Sequence, residues 1–379
     1  MKHWLRHIML VVVALAATYT VSAQYYSWGA DPTYMQWRQL KGEKIDVIYP
    51  DTASRLGYKM MHYARAVQSD IAFGYQHGAM KIPFIIHPEN FSSNGMVMWL
   101  PKRVEILSSP AVNGYSMPWL KQLAAHEYRH AVQYNNLNRG FVKAFSYILG
   151  QQSSTIGLLF MPLWGLEGDA TLSETQMSSF GRALQPSFTM HYRAMGNIGQ
   201  GRGGIKWFCG SYREHIPDHY HLGYQITAYA NTKYDENIWD KLVRYAVRNP
   251  YVIATTYFGM RRFYNTTTTK LFKETFANLS DHWNSLPYQP NTSTQISAEV
   301  KKGYIQHRYP QYIDQNMVLS LCNTLDTPDA FVLTNKATGK SKRLAYTGAV
   351  STRPSEVVGG RIWWTEYRRS LLFAERVNS

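Results

Sequence analysis

The chain has 379 residues, 45% of them hydrophobic and 14% aromatic, enough for a packed core and incompatible with an intrinsically disordered class. Its formal net charge is +15, but the cations fall in pairs (Lys301-Lys302, Arg261-Arg262, Arg368-Arg369) and one loose cluster (Lys336, Lys340, Lys342, Arg343), so no nucleic-acid partner is expected. Two cysteines, Cys209 and Cys322, exclude a disulfide framework and a CxxC-type metal site; one bridge and two free thiols both stay open.

Residues 1–23 read as a secretory signal peptide: Lys2 and Arg6, an apolar run over 8–17, then Val21-Ser22-Ala23 before Gln24. The run is too short to span a bilayer comfortably and has no stop-transfer pattern behind it. Cleavage would remove Lys2 and Arg6 and no acid, lowering +15 to +13, which suits solubility and association with anionic envelope surfaces. The expected location is periplasmic, outer-membrane-associated or extracellular. Lipidation is not expected, because no cysteine follows the leader.

In chain order, 45–49 predicts a strand and 51–73 a helix capped by Asp51, with Leu56, Met60, Tyr63, Ala64 and Val67 on one face. Residues 82–87 predict a strand, Asn94-Gly95 a turn, and 96–99 with 104–107 further extended chain. A helix follows over the stretch containing 119–134, with Ser116 as N-cap, Pro118 in the first turn and Gly140 as its stop. The apolar stretch 141–164 is broken by the polar run 151–155, so it predicts buried helices rather than a membrane span. Helical patterns recur at 166–179, 224–234, 238–247 and 269–283. After Pro287-Tyr288-Gln289-Pro290 come short alternating strands at 317–321, 330–334, 343–346, 361–365 and 371–374. The expected fold is α+β: a mainly helical domain over 24–290 with a small N-terminal sheet, then a β-rich region over 291–379. That region has the spacing of an incomplete β-propeller, too short to close, or of a small sandwich-like appendage; it is a candidate surface for a protein partner.

His126-Glu127-Tyr128-Arg129-His130 is an HExxH motif. Residues four apart share a helix face, so His126 and His130 can hold one metal ion while Glu127 stands beside it as a base. A hydrolytic zinc site needs a third protein ligand. A third histidine six residues after His130 would supply one ligand set, but Asn136 stands there. Glu167, in Trp164-Gly165-Leu166-Glu167-Gly168-Asp169-Ala170 at the start of the next helical pattern, is the better candidate.

With these residues the chain resembles the gluzincin-type HExxH zinc metallopeptidases. Within that clan it is similar to secreted Gram-negative proteins that join such a domain to a C-terminal TolB-like β-propeller. The shared segments are 126–134, 166–174, Gly181-Arg182 with Gln185-Pro186-Ser187-Phe188, and 217–224. The resemblance covers about residues 44 to 290, and it departs in the shortness of the β-region and in Thr171, where many gluzincins carry an acid that orients a histidine ligand; Asp169 or Glu174 are the alternatives for that task. It implies a zincin-like fold, Zn2+ on His126, His130 and Glu167, and hydrolysis of a peptide or protein substrate with Glu127 taking the proton of the attacking water. It further implies an oxyanion donor downstream, Tyr220 first and His219 second, both expected in a turn before a helix. Residues 96–107 would offer a cleft-edge strand to the substrate backbone. Nothing near Asn94-Gly95-Met96 supplies a glutamate for a free amino terminus, so an endopeptidase is expected. A catalytically idle scaffold or binding protein is the alternative, and the intact Glu127 argues against it.

Overall fold

The fold is taken from a computed structural model. It describes residues 31–90, 92–99, 101–111, 114, 117–150, 157–195, 204–211, 215–252, 254–287, 292–298, 303–350, 356–369 and 377–378. The signal-peptide reading, the Ser116 cap and the strand expected at 371–374 lie outside the described residues.

The molecule is α+β. A five-stranded sheet comes first, from β1 (Trp37–Lys41), β2 (Ile45–Pro50), β3 (Ile82–His87), β4 (Ser93–Trp99) and β5 (Lys102–Ser108), in the order β1-β2-β3-β5-β4. β2, β3 and β5 run parallel, while β1 and β4 are antiparallel edges. The crossover from β2 to β3 is α1 (Ser54–Val67), which lays Met60, Met61, Ala64 and Val67 on the sheet. Gly57 lies against the Tyr49 ring. Asp51 does not cap α1: it opens a short 3-10 turn whose side chain accepts from Thr52, and Ala53 holds the N-cap position. Asn94-Gly95 forms no turn either, because Ser93–Trp99 is one strand paired along its whole length with β5.

The motif helix α2 (Trp119–Leu137) starts directly after Pro118, whose φ of −54° suits a helix entry. It ends at Asn138, not at Gly140; Gly140 instead opens α3 (Gly140–Leu149). Its φ of +53° and its approach to the Val247 carbonyl, 2.7 Å from where a Cβ would stand, exclude other residues there. The expectation that 141–164 is buried fails for α3: only Val142 of that helix is buried, and Phe141, Phe145, Tyr147, Ile148 and Leu149 are exposed. Among the described residues no helix is long and apolar enough to cross a membrane.

Among the described residues the helical body continues with α4 (Leu163–Gln176), α5 (Pro186–Ala194), α6 (Gly204–Cys209), α7 (His219–Tyr234), α8 (Ile238–Arg248), α9 (Thr255–Tyr264) and α10 (Thr268–Ser285). α4 and α7 pack backbone to backbone. A Cβ on Gly168 would stand 2.2 Å from the Gly223 carbonyl carbon, and one on Gly223 would stand 1.8 Å from the Trp164 carbonyl oxygen. One apolar core joins the sheet to these helices, running from Val47, Phe84 and Ile106 to Trp239, Phe272 and Phe276.

The β-rich region carries its own small core of Leu319, Leu321 and Phe331. β6 (Ile305–Tyr312), β7 (Met317–Thr324), β8 (Ala330–Asn335) and β9 (Ser341–Tyr346) form a four-stranded antiparallel meander. Two smaller sheets follow, β11 (Glu356–Val358) with β12 (Arg361–Trp363), and β10 (Ala349–Val350) with β13 (Glu366–Arg369) and β14 (Val377–Asn378). The described strands do not close into a ring. Cys209 and Cys322 are both free thiols.

The Gly168–Gly223 contact leaves no room for a side chain, and backbone cannot step aside as a flexible side chain can. Gly223→Ala is therefore expected to destabilise the fold by at least about 2 kcal/mol, read as a lowered denaturation midpoint at unchanged m-value.

Candidate metal centre

On α2 the rings of His126 and His130 stand 4.9 Å apart on one buried face. On α4, the fifth residue after Pro162 is Glu167, whose carboxylate reaches back to both. Oε2 of Glu167 lies 3.1 Å from His126 Nε2 and 3.3 Å from His130 Nε2, and the two Nε2 atoms are 3.3 Å apart. These three residues form a group able to hold a metal ion. For bonds of about 2.0–2.1 Å the edge of a tetrahedral zinc site is about 3.3–3.4 Å, so the triangle fits that coordination with a fourth position left over.

The outer hydrogen bonds make the same point chemically. His126 Nδ1 faces Glu174 Oε2 at 3.1 Å, and His130 Nδ1 faces Gln133 Oε1 at 2.7 Å. Gln133 is oriented by its own amide, which donates to the Leu166 carbonyl at 2.9 Å and to Asp169 Oδ2 at 2.8 Å. Each Nδ1 thus carries a hydrogen, and a ring that is neutral turns a lone pair from Nε2 toward the other and toward the Glu167 carboxylate. Three acceptors meeting at 3.1–3.3 Å repel unless a cation sits among them. A proton or a metal ion can play that part.

Charge balance is visible in the acidities. Burial alone would lower the pKa of the His126 imidazolium, but its bonds to Glu167 and Glu174 prevail and bring it to about 9. His130 is raised as well, burial being outweighed by Glu167. Burial opposes ionisation of Glu167 too, yet the two histidines hold its carboxyl far below the usual range. Glu174 is brought down to about 2 against its burial, chiefly by Arg182, whose Nε and Nη2 donate to it at 2.6 and 2.8 Å. Glu127 goes the other way: burial raises it.

Glu127 is buried beside this group, against the backbone of β4. A Cβ on Gly95 would stand 2.6 Å from Glu127 Oε1, so only glycine lets the strand come this close. Tyr220 is brought in as well, its ring 5.9 Å from that of His126 and beneath the Arg182 guanidinium at 5.0 Å. Burial and then the Glu167 charge keep its hydroxyl protonated far above neutrality. His219 stands further out, its ring 4.5 Å from Tyr220. Neither residue lies in a turn: both belong to the first turn of α7, which Asp218 caps by accepting from the amides of Tyr220 and His221.

Of the two orienting alternatives, Glu174 holds His126 directly and Asp169 holds His130 through Gln133. The sequence reading did not include Gln133, although its place three residues after His130 on one helix face was a usable signal. Arg182 received no role, and nothing local to it marked one.

Neither a protein-family model nor a curated protein matches the chain. Among solved structures, a crystal structure of an aminopeptidase N family protein from Idiomarina loihiensis is similar at 13% identity and a TM-score of 0.28, over 66% of this chain and 42% of that one. The chain therefore spans less than half the length of that protein.

A proton on His126 must leave before a metal ion takes its lone pair. Apparent zinc affinity is thus expected to rise with pH up to about 9, roughly tenfold per unit for each proton displaced, and to level off above that. Calorimetric titration in buffers of different ionisation enthalpy reads the proton release; an affinity independent of pH would mean that His126 is not a ligand.

Proposed function

We propose that the chain is a zinc-dependent peptidase acting on exported or envelope proteins, with His126, His130 and Glu167 as metal ligands and Glu127 as general base. The observation that carries this reading is the convergence of three lone-pair donors within 3.3 Å, with Glu127 buried next to them. Zinc held there would polarise the scissile carbonyl and acidify a water molecule. Glu127 takes the proton of that water and hands it to the leaving amine, and its pKa, raised by burial, moves toward the pH at which it works. Tyr220, protonated and beside His126, donates its hydroxyl hydrogen to the carbonyl oxygen as negative charge develops.

Substrate binding falls to β4. Among the described residues it is an edge strand paired with β5, and an extended peptide running past Glu127 would pair with its outer edge. Besides Glu127, Glu105 lies next to this strand, opposite Met96, and it is occupied by Arg103 and His87. A carboxylate so engaged cannot hold a free amino terminus, which favours an endopeptidase.

Two variants test the assignment against a diverse peptide mixture followed by mass spectrometry. Glu127→Gln is expected to keep its zinc and lose turnover by a factor of about 10² to 10⁴. Tyr220→Phe should lower kcat by about 10 to 10³ with little change in KM. Zinc-loaded, folded protein that cleaves nothing would transfer the conclusion to an idle scaffold; cleavage surviving in Glu127→Gln would remove that residue as the base.

A further inference from the structure

Directly after the motif helix, α3 is a ten-residue helix with an unusual surface. Only Val142 is tucked into the body, while Tyr147 is 78% and Ile148 80% exposed, joined by Phe141, Phe145 and Leu149. Further along the chain Leu159, 82% exposed, and Leu163 are exposed as well. Contact with α8 at Gly140 and Val247, and a hydrogen bond from Thr256 Oγ1 to the Phe160 carbonyl at 3.1 Å, bring the end of α8 and the start of α9 to the same region.

The charges there are of one sign. No aspartate or glutamate occurs in residues 128–166 or in 241–273, the two stretches that build this part of the surface. The same stretches hold Arg139, Lys143, Arg248, Arg261 and Arg262, and among the described residues none of these is in an ion pair. Exposed aromatic and aliphatic side chains with Lys143 on the same helix, Arg139 just before it and Arg248 next to the Val247 contact complement an anionic bilayer surface, in which an apolar helix lies in the plane of the headgroups. At ten residues α3 is about 15 Å long, half of what a span requires.

We propose that α3, with Leu159 and Leu163, is an in-plane docking surface for an anionic membrane. The cations set the encounter and the apolar side chains enter the interface. A soluble partner protein would need an acidic rim to match this surface, whereas anionic lipid supplies that charge at every approach. The assignment stands apart from the peptidase reading, since it is measured by binding alone.

The test is flotation of the full chain with vesicles of phosphatidylcholine containing about one third phosphatidylglycerol, against vesicles of phosphatidylcholine alone. It is combined with peptide-resolved hydrogen exchange over 141–149. The comparison protein is the double variant Phe145→Ser with Ile148→Ser, both exposed positions, so that its thermal unfolding should match the wild type. The leader segment adds the same background to both proteins. Expected are binding to the anionic vesicles that weakens in high salt, slowed exchange at 141–149 only when those vesicles are present, and affinity at least about tenfold lower in the double variant. No binding, equal binding by both proteins, or unchanged exchange at 141–149 overturns the proposal. Self-association in sedimentation that disappears in the double variant would overturn it as well, by assigning the surface to a second copy of the chain.

Discussion

The buried ion pair between Arg129 and Asp169 is the interaction on which the rest of the site depends. Arg129 is the fourth residue of the motif, 2% exposed. Its Nε and Nη2 meet Asp169 Oδ2 and Oδ1, each at 2.8 Å, and Nη1 donates to the carbonyls of Ile71 and Phe73, both at 2.7 Å. Asp169 in turn accepts from Gln133, Tyr75 and Asn237. One salt bridge therefore ties the motif helix to α4, to the chain after α1 and to the start of α8. A charge pair this deep contributes little net stability, but either charge left alone costs about 3–5 kcal/mol. The arrangement thus penalises every alternative packing of α4 on α2, and so fixes the one in which Glu167 reaches both histidines.

A second constraint acts from the opposite side of α4. Glu167 sits next to Gly168, and Gly168 touches Gly223, three residues beyond Tyr220. The absence of two side chains lets α7 approach to backbone contact, and that approach carries the Tyr220 ring to 5.9 Å from His126. The same economy recurs at Gly95, where a bare backbone lets the edge strand come up to Glu127. Hydrophobic burial supplies the force that closes these interfaces, while the glycines set how far they close.

What the sequence made legible follows the range of each physical effect. His126, His130 and Glu127 could be read because helix periodicity is local, and Glu167 because it opens the next helical pattern. Tyr220 was within reach only by resemblance, since its place beside His126 depends on the glycine contact between α4 and α7. Asn94-Gly95 has turn chemistry, yet seven residues of pairing with β5 override it. Gly140 looks like a helix stop, and the chain does break near it, but its positive φ serves the start of α3 against Val247. The largest misreading concerns 141–149. Apolar composition argues for burial, but burial needs a partner surface, and α8 offers only enough to cover Val142.

The outer partners of the two histidines are not equivalent, and the difference has a chemical meaning. His130 is held by a neutral amide, with Asp169 neutralised behind it by Arg129; His126 is held by the carboxylate of Glu174, neutralised by Arg182. Apart from Glu167 and Glu127, the permanent charges around the site therefore cancel in pairs. A divalent cation on Glu167 leaves one positive charge in a buried space, and ionised Glu127 supplies the matching negative one. Without the cation, burial holds the proton on Glu127, in keeping with its raised pKa. A base in the proposed reaction would thus be matched to a charged site. It would give up its proton when a cation is bound and take one from the attacking water. This is the behaviour required of a group that must move a single proton without leaving a net charge stranded in a buried cleft.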